Sequence, residues 1–373
     1  MTIETVRSEQ SRLLLDARGP FASVYFDDSH ETPHAKQHLD ATWRDVARRL
    51  EQERADPALV SRLEAAVFRA RPPVGRSGRG LIATADRIVI DEHLVTSPAA
   101  PIVRLSELPY VVPLVEHGRV SPTYTVALVD HLGADITTYQ RNTKRTETVE
   151  AGGYPLHAVA NAENYGSGTQ DRRVEEAIRK NLRAVADALS ERFEQDLPEV
   201  VFLIGQDRVR AELMSMLADR VCARVVRPRV GARHTGVDDT VRHAIALEFG
   251  NRQHAEASEW TQRYRAEAGR RSGLAVEGLT AVCAALREDA VSTLLLGGLG
   301  DEIVLAGDNP TLVATDADAL SRYGAPPTRT LRADEAVPFA AIARGAKLIP
   351  IRNGLDVLDG VAALLRYPVP ADA

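Results

Sequence analysis

The sequence predicts an α/β protein built from three domains. Its 373 residues exceed what one hydrophobic core usually holds and suit two or three domains. Short runs of β-branched and aromatic residues alternate with longer segments of helical periodicity, which is typical of mixed α/β layers. A hydrophobic content of 44% and a charged content of 26% are ordinary for a folded globular protein.

The first domain, residues 1–120, is predicted to be an N-terminal α/β domain. An opening strand at Phe21–Phe26 is rich in aromatic and β-branched residues. Two helices follow. One lies at about Leu39–Glu53, where apolar side chains recur at helical spacing, and the other at about Pro57–Ala70, after an Asp-Pro start signal. The segments GLIATA and RIVIDEHL predict a hairpin, and the proline-rich residues 98–122 close the domain.

The middle domain, residues 121–234, is predicted to open with a second hairpin. TYTVALVD and ITTYQ are interpreted as strands joined by a short turn. A loop over residues 151–171 then precedes a long helix at Arg173–Arg192. The remaining predicted elements are a buried strand at Glu199–Gly205, a helix at about Val209–Leu217 and a strand at Cys222–Val226.

The last domain, residues 235–373, is predicted to be an α/β/α sandwich that follows a linker helix. The linker helix covers about Asp238–Gly269. The elements predicted after it are a helix at Gly273–Leu286, strands at Thr293–Leu296 and Ile303–Ala306, a helix rich in acids and alanines, the stretch Ala333–Ala346, a strand at Lys347–Ile351 and a helix at 360–366.

Several classes of protein are excluded by missing motifs. There is no phosphate-binding Walker sequence, dinucleotide fingerprint, Gly-x-Ser-x-Gly elbow or His-Glu-x-x-His. The N-terminus lacks a signal sequence, and no apolar run is long enough to span a membrane. Cys222 and Cys283 are too far apart for a metal knuckle and are expected to be core residues. We therefore expect a cytoplasmic protein without a cofactor or a membrane partner.

The charges are unevenly distributed along the chain. Residues 1–120 carry 16 basic and 17 acidic side chains, and residues 121–234 carry 16 of each. Residues 235–373 carry 14 basic and 19 acidic side chains, which accounts for nearly all of the net charge of −6. This division fits two domains that face RNA and a third that prefers a protein, or else an acidic third domain that is simply solvated.

Three motifs in order along the chain resemble the archaeo-eukaryotic peptide-chain release factor superfamily, which includes Pelota. TYTVALVDHLGADITTYQ, with Asp130 and Gly133, resembles the opening hairpin of its middle domain. VEEAIRKNLRAVADAL is similar to the helix that follows the catalytic loop, while VSTLLLGG, DEAVPFAAIARGAKLIPI and GVAALLRY resemble the last domain, which has the fold of a ribosomal protein that binds kink-turn RNA. The chain most resembles the bacterial branch that contains the ribosome hibernation factor Balon and its actinobacterial relatives.

The resemblance assigns a role to the loop that precedes the long helix. Release factors carry Gly-Gly-Gln at the tip of this loop, whose glycines permit unusual backbone angles. Here Gly168 and Gln170 match the outer members, and Thr169, a stiff β-branched residue, replaces the central glycine. We therefore expect the loop to plug the peptidyl transferase centre without hydrolysis, or else to be a plain surface loop. Its residues are Asn164, Tyr165, Gly166, Ser167, Gly168, Thr169, Gln170 and Asp171.

Two further groups of residues are candidate RNA contacts. In the first domain, the loop at the position of the superfamily's codon-recognition loop lacks the stop-codon motif but is rich in histidine, and a turn-rich linker is rich in arginine. The first-domain candidates are His30, His34, Lys36, His38, Arg69, Arg71, Arg76 and Arg79. Those of the middle domain are Arg224, Arg227, Arg229 and Arg233. Guanidinium groups suit phosphate, and imidazoles can stack on bases. The alternative interpretation is that both groups are ordinary solvated surface. The i, i+4, i+8 spacing of the histidines favours a metal only weakly, because Pro33 interrupts the helix, and no metal is expected.

The resemblance implies a hibernation factor that occupies the ribosomal A site, in contact with 16S and 23S rRNA. Elongation factor Tu with GDP is the expected protein partner of the acidic third domain, and the protein is expected to be a monomer off the ribosome. Two alternatives stay open. One is a peptidyl-tRNA hydrolase or rescue factor that uses Gln170, and the other is a stress-linked interaction protein that no longer meets the ribosome.

Overall fold

The computed structural model is a mixed α/β protein with four β-sheets among the residues that it describes. These residues are 11–29, 35–69, 78–118, 123–140, 143–150, 167–230, 232–352 and 354–369. The chain divides into two units. Unit 1 comprises residues 1–70, 77–120 and 249–373, and unit 2 comprises residues 71–76 and 121–248.

The first part of unit 1 is a four-stranded antiparallel sheet covered by two helices. The strand order is β3-β2-β1-β4. The elements are β1 (Phe21–Asp27), α1 (Ala35–Gln52), α2 (Pro57–Arg69), β2 (Gly78–Ala83), β3 (Ile88–Leu94), β4 (Ile102–Ser106) and α3 (Val112–Glu116). Trp43 and Leu50 of α1 and Leu63 and Val67 of α2 are buried in one hydrophobic cluster with Val24 of the central strand. Burial of this amphipathic face positions both helices on the sheet.

The second part of unit 1 contains two smaller sheets. A mixed sheet has the order β10-β16-β11-β15, and a three-stranded sheet has the order β13-β12-β14. The elements are α7 (Asp239–Arg270, in unit 1 from Phe249), β10 (Ala275–Glu277), α8 (Leu279–Arg287), β11 (Val291–Leu296), β12 (Ile303–Ala306), β13 (Val313–Ala314), α9 (Ala317–Ser321), β14 (Arg329–Arg332), α10 (Ala333–Ala343), β15 (Lys347–Pro350) and β16 (Val361–Leu365). Strands β11 and β15 are parallel, and β16 is antiparallel to β11.

The two parts of unit 1 share a hydrophobic core. One cluster contains Tyr25 and Ile90 of the first sheet together with Leu294 and Val337 of the second part. Charged side chains reinforce this contact, because the guanidinium of Arg104 lies 2.9 Å from a carboxylate oxygen of Asp334 and 3.1 Å from one of Glu335. The first and third predicted segments therefore form one unit, and the predicted boundary after residue 120 is where unit 2 begins again.

Unit 2 is a five-stranded sheet with the order β7-β6-β5-β8-β9. Its elements are β5 (Thr123–Val129), β6 (Gly133–Gln140), β7 (Thr143–Glu150), α4 (Ser167–Asp196), β8 (Val200–Gly205), α5 (Asp207–Met214), α6 (Asp219–Cys222) and β9 (Val225–Val226), followed by the first residues of α7. Helix α4 packs on one face of the sheet through Leu182 and Leu189. The other face carries Tyr124 stacked on Tyr139 at 4.7 Å between ring centroids.

The structure corrects five predicted elements. Residues 360–366 are not a helix, because Val361–Leu365 is a strand between β10 and β11. Cys222 ends the short helix α6 instead of starting a strand, and the Gly273–Leu286 helix begins only at Leu279, after strand β10. The proline-rich stretch contributes a strand, β4, that pairs with β1. Residues 167–171, predicted as the end of a loop, form the start of α4.

Candidate functional site

The turn between β5 and β6 is held by one aspartate. A side-chain oxygen of Asp130 accepts hydrogen bonds from the backbone N–H groups of Leu132 at 2.8 Å and Gly133 at 2.9 Å. Gly133 has no room for a side chain, since a Cβ there would lie 2.0 Å from the carbonyl oxygen of Val149 on β7. The two positions that carry the resemblance in this hairpin therefore have a structural reason to be Asp and Gly.

Arg233 is bound to the same turn and is not a free RNA contact. Its guanidinium lies 3.1 Å from Asp130 and 3.2 Å from Asp135, and 3.6 Å from Glu150 at the end of β7. Burial on its own lowers the pKa of Arg233, but hydrogen bonds to the two aspartates and their charges raise it on balance. Because the side chain is only 10% exposed and faces three carboxylates, the prediction that it binds phosphate loses its physical basis.

Arg224, Arg227 and Arg229 have the exposure that an RNA contact needs. All three side chains are exposed. Arg224 donates only a long hydrogen bond, of 3.5 Å, to the carbonyl oxygen of Glu199. Within the described part of the chain, no carboxylate forms a salt bridge with any of the three. We call these three residues the arginine ridge.

The backbone of the arginine ridge is anchored by a residue that the sequence analysis did not single out. The buried side chain of Arg210 on α5 donates a hydrogen bond to the carbonyl oxygen of Pro228, between two ridge residues, and pairs with Asp207. Pro228 also restricts the backbone of the residue before it. In the sequence, the i, i+3 spacing of Asp207 and Arg210 on a helix could have indicated the pair but not the bond to Pro228. Anchoring limits the entropy that the ridge loses when it binds.

Three other exposed arginines of unit 2 differ from the ridge because they face carboxylates. Arg220 lies 2.6 Å from Glu194, while Arg208 lies 3.8 Å from Glu175. Arg179 lies 3.8 Å from Glu212. The positive charge of these three side chains is offset locally, whereas the ridge arginines, like the exposed Arg145 and Arg183, form no salt bridge with a described carboxylate.

Arg79 is a structural residue and not part of a flexible basic linker. It lies on β2 with a side chain that is 1% exposed. Its guanidinium makes two bonds to Asp91, of 2.9 and 3.0 Å, and donates to the carbonyl oxygens of Val67 at 3.1 Å and Ala66 at 3.0 Å. A buried side chain cannot reach an RNA backbone, so the predicted role of Arg79 in phosphate binding is corrected to one in stability.

The remaining first-segment candidates are divided by what the structure describes. Lys36 and His38 lie exposed on the first turn of α1, and Arg69 is exposed at the last residue of α2. Their predicted contact with RNA stays a prediction. His30, His34, Arg71 and Arg76 lie outside the described residues.

The candidate peptidyl-transferase-centre loop is described in part. Asn164, Tyr165 and Gly166 lie outside the described residues, whereas the backbone of Ser167, Gly168, Thr169, Gln170 and Asp171 forms the start of α4. The loop prediction is wrong for these five residues. A helix tolerates glycine at a cost of about 1 kcal/mol. Thr169 and Gln170 have helical backbone angles and do not adopt the unusual angles that the glycines of Gly-Gly-Gln permit.

The described ranges, which do not include His30 and His34, contain no group of three or more His, Cys, Asp or Glu side chains suited to a metal. They also contain no helix long and apolar enough to cross a membrane.

Sequence comparisons identify the family. Residues 123–270, which run from β5 to the end of α7, match the family "Bacterial archaeo-eukaryotic release factor family 2". An uncharacterized protein of Mycobacterium tuberculosis (strain H37Rv), Rv2629, is 48% identical over 363 residues and covers 97% of both chains. The chain belongs to the bacterial archaeo-eukaryotic release factor family. Membership places it among the release-factor-like proteins and confirms the resemblance at the level of the family.

Solved structures with similarity to this chain include a release factor and Pelota proteins. Archaeoglobus fulgidus Pelota is 11% identical and aligns over 97% of this chain and 93% of its own, with a TM-score of 0.37. Archaeal Pelota bound to the ribosome with ABCE1 is 14% identical over 97% and 95%, with a TM-score of 0.39. The archaeal termination factor aRF1 is 15% identical over 97% and 98%, with a TM-score of 0.24. These scores are too low to align individual site residues, so the family assignment depends on the sequence matches.

Proposed function

We propose that this protein is a ribosome-binding hibernation factor that occupies the A site of idle ribosomes in the cytoplasm. The observation that carries the proposal is the arginine ridge, three exposed guanidinium groups without a carboxylate partner in the described structure. The ridge lies on the unit that matches the release factor family, within residues 123–270. A ribosome offers phosphate at high density, and this is the ligand that guanidinium groups bind best.

The ridge provides affinity without sequence specificity. Each arginine that contacts a phosphate releases a counterion, which contributes about 0.7 to 0.9 to the slope of log affinity against log salt. Three contacts therefore contribute roughly 2 to 3 to that slope. A ridge whose backbone is already anchored by Arg210 gains this affinity at a small cost in conformational entropy.

A steric block accounts for the proposed activity without a covalent step. Family members that hydrolyse peptidyl-tRNA need glycine geometry beside the glutamine, and in this chain the residues at Thr169 and Gln170 are helical. This supports occupancy of the peptidyl transferase centre in preference to hydrolysis. The first segment would then occupy the decoding centre, where the exposed Lys36, His38 and Arg69 are available for rRNA.

Elongation factor Tu with GDP is the protein partner that we propose for the third segment. Residues 235–373 carry five more acids than bases. An acidic surface steers a basic protein surface towards it and repels rRNA. A gain in ribosome affinity when elongation factor Tu and GDP are added would support this partner, and unchanged affinity would remove it while leaving the ribosome contact intact.

Co-sedimentation of the purified chain with vacant ribosomes, across a series of salt concentrations, tests the proposal. The test variant replaces Arg224, Arg227 and Arg229 by glutamine. A matched control replaces the carboxylate-paired Arg179, Arg208 and Arg220 by glutamine, which changes the net charge of unit 2 by the same amount.

We expect wild type to bind saturably near one copy per ribosome. The ridge variant should bind more weakly, with a salt slope smaller by roughly 2 to 3, and the control should stay close to wild type. Equal losses in the two variants would show that bulk charge and not the ridge drives binding. No binding by wild type, with or without elongation factor Tu and GDP, would overturn the proposed function.

A further inference from the structure

Two exposed tyrosines of unit 1 are anchored on the same residue. Tyr323, which follows α9, donates its hydroxyl to the side chain of Glu288, and Tyr367, which follows β16, donates its hydroxyl to the backbone carbonyl of Glu288 at 2.5 Å. Tyr323 is 40% exposed and Tyr367 is 47% exposed. We call these two side chains the tyrosine pair. Single exposed aromatic residues are common, but two that share an anchor present a fixed surface.

The hydroxyls are occupied by the anchoring, so a ligand can contact only the exposed parts of the two rings. Both hydroxyls already have acceptors within the protein. The hydrogen bond to Glu288, followed by burial and the charge of Glu288, raises the pKa of Tyr323, so its ring stays neutral at physiological pH. A tyrosine with a fixed ring loses little conformational freedom on binding and offers a flat π surface.

Arginines flank the tyrosine pair, although the third segment as a whole is acidic. Arg287 lies over the Tyr323 ring at 5.5 Å from its centroid. Arg366, next to Tyr367, donates to the carbonyl oxygens of Asp289 at 2.8 Å and Arg344 at 3.0 Å. These backbone bonds and a salt bridge to the carboxylate of Asp289, at 3.5 Å, fix the guanidinium of Arg366, whose side chain stays 36% exposed.

The surroundings favour a nucleic-acid ligand over a protein ligand. Protein hot spots place aromatic residues within an apolar, water-excluding patch. Here the large aliphatic side chains on the adjoining segments, Leu286, Leu320 and Leu365, are buried. Exposed rings with arginines near them and buried leucines on the adjoining segments match unstacked bases with their phosphates.

We propose that the tyrosine pair is a stacking platform for unstacked bases of single-stranded RNA, with Arg366 contacting a flanking phosphate. This is a second RNA contact, in a different unit from the arginine ridge. It does not depend on the A-site function, because it makes a claim about isolated RNA. A ring surface selects for splayed bases, since the bases of a duplex are stacked on each other and cannot reach it.

Fluorescence anisotropy of a short labelled oligoadenylate with the full-length protein tests the platform, and an RNA duplex of equal length serves as the comparison ligand. The variants are Tyr323→Leu with Tyr367→Leu, which removes the rings, and Tyr323→Phe with Tyr367→Phe, which keeps the rings without their hydroxyls. Circular dichroism and sedimentation establish that both variants are folded monomers before binding is compared.

We expect the leucine pair to lose roughly tenfold in affinity for oligoadenylate for each tyrosine, with little change for the duplex. The phenylalanine pair should retain most of the affinity. The proposal is overturned by a leucine pair that binds oligoadenylate like wild type, or by a phenylalanine pair that loses as much as the leucine pair. A leucine pair that loses ribosome binding while its oligoadenylate affinity is unchanged would identify a protein contact and would equally overturn it.

Discussion

Replacing Arg79 by methionine removes the buried charge at the centre of the first sheet. Methionine keeps most of the aliphatic volume, so the change reports the guanidinium more than the packing. The substitution leaves Asp91 without its bidentate partner and the carbonyl oxygens of Ala66 and Val67 without a donor. It also removes the cation that lies 3.9 Å from the buried carboxylate of Asp28.

The expected loss of stability follows from these contacts. Removing one partner of a buried ion pair costs about 3–5 kcal/mol, because the other charge stays uncompensated. Asp91 is part-exposed, so water relieves some of this cost, whereas the two carbonyls each add a desolvation penalty of about 1 kcal/mol. We expect a loss of about 3 kcal/mol in the free energy of unfolding of unit 1.

Urea unfolding followed by Trp43 fluorescence measures this loss. Trp43 packs in the same cluster as Val67, and its indole donates to Glu64 at 3.1 Å, so it reports on the affected region. The other tryptophan, Trp260, is replaced by phenylalanine in the background protein. Arg48→Met is the matched control, because Arg48 is 61% exposed and pairs with Asp45 on its own helix.

The control should lose no more than about 0.5 kcal/mol, as exposed i, i+3 pairs do. Arg79→Lys should lose an amount of stability between those of Arg79→Met and Arg48→Met, since an ammonium keeps the charge but cannot bond to both the carboxylate and the carbonyls. Equal unfolding midpoints for Arg79→Met and Arg48→Met would refute the assignment of Arg79 to the stability of unit 1.

Three further predictions test other parts of the account. Gly133→Ala should destabilise unit 2 by about 1–3 kcal/mol, because its Cβ would meet a backbone carbonyl of β7 at 2.0 Å, whereas Gly269→Ala, with open space around it, should not destabilise the protein in urea titrations. Burial raises the pKa of the Cys283 thiol to about 12. A thiol reagent at pH 8 should therefore react with at most Cys222 in the native protein and with both cysteines in urea. Two rapid reactions in the native state would contradict this. Gln170→Ala should leave ribosome binding unchanged, and labelled peptide should not be released from stalled ribosomes by either form; release that the substitution abolishes would restore the hydrolase alternative.

Elements with a clear local period could be predicted from the sequence. The hairpin of β5 and β6 and the long helix α7 lie within a few residues of their predicted bounds. Local patterns define such elements because one face is buried and the other is solvated. Val361–Leu365 lacks this contrast, since all five residues are buried between two neighbouring strands, and a short apolar run of this kind does not distinguish a strand from a buried helix.

Contacts between distant parts of the chain could not be predicted. The first segment shares a hydrophobic core with the third, and Arg104 pairs with Asp334, 230 positions later. No local periodicity encodes such a partner, so the sequence did not show that the first and third segments pack into one unit. Family resemblance supplied the order of the segments but not their packing.

The candidate site shows the same division. Arg227 and Arg233 lie in one basic cluster of the sequence, yet Arg227 is exposed and Arg233 is bound to Asp130, 103 positions away. Composition identified where the arginines are concentrated, while the location of carboxylates brought close by folding decided which of them are free for RNA. Arg210 escaped notice for the same reason, because its value to the ridge depends on a hydrogen bond to Pro228.

Electron cryomicroscopy of the protein mixed with vacant ribosomes tests the central claim most directly. The account predicts one copy in the A site, with the arginine ridge against rRNA and the start of α4 directed towards the peptidyl transferase centre. Density at another site, or ribosomes without additional density at a saturating protein concentration, would contradict it.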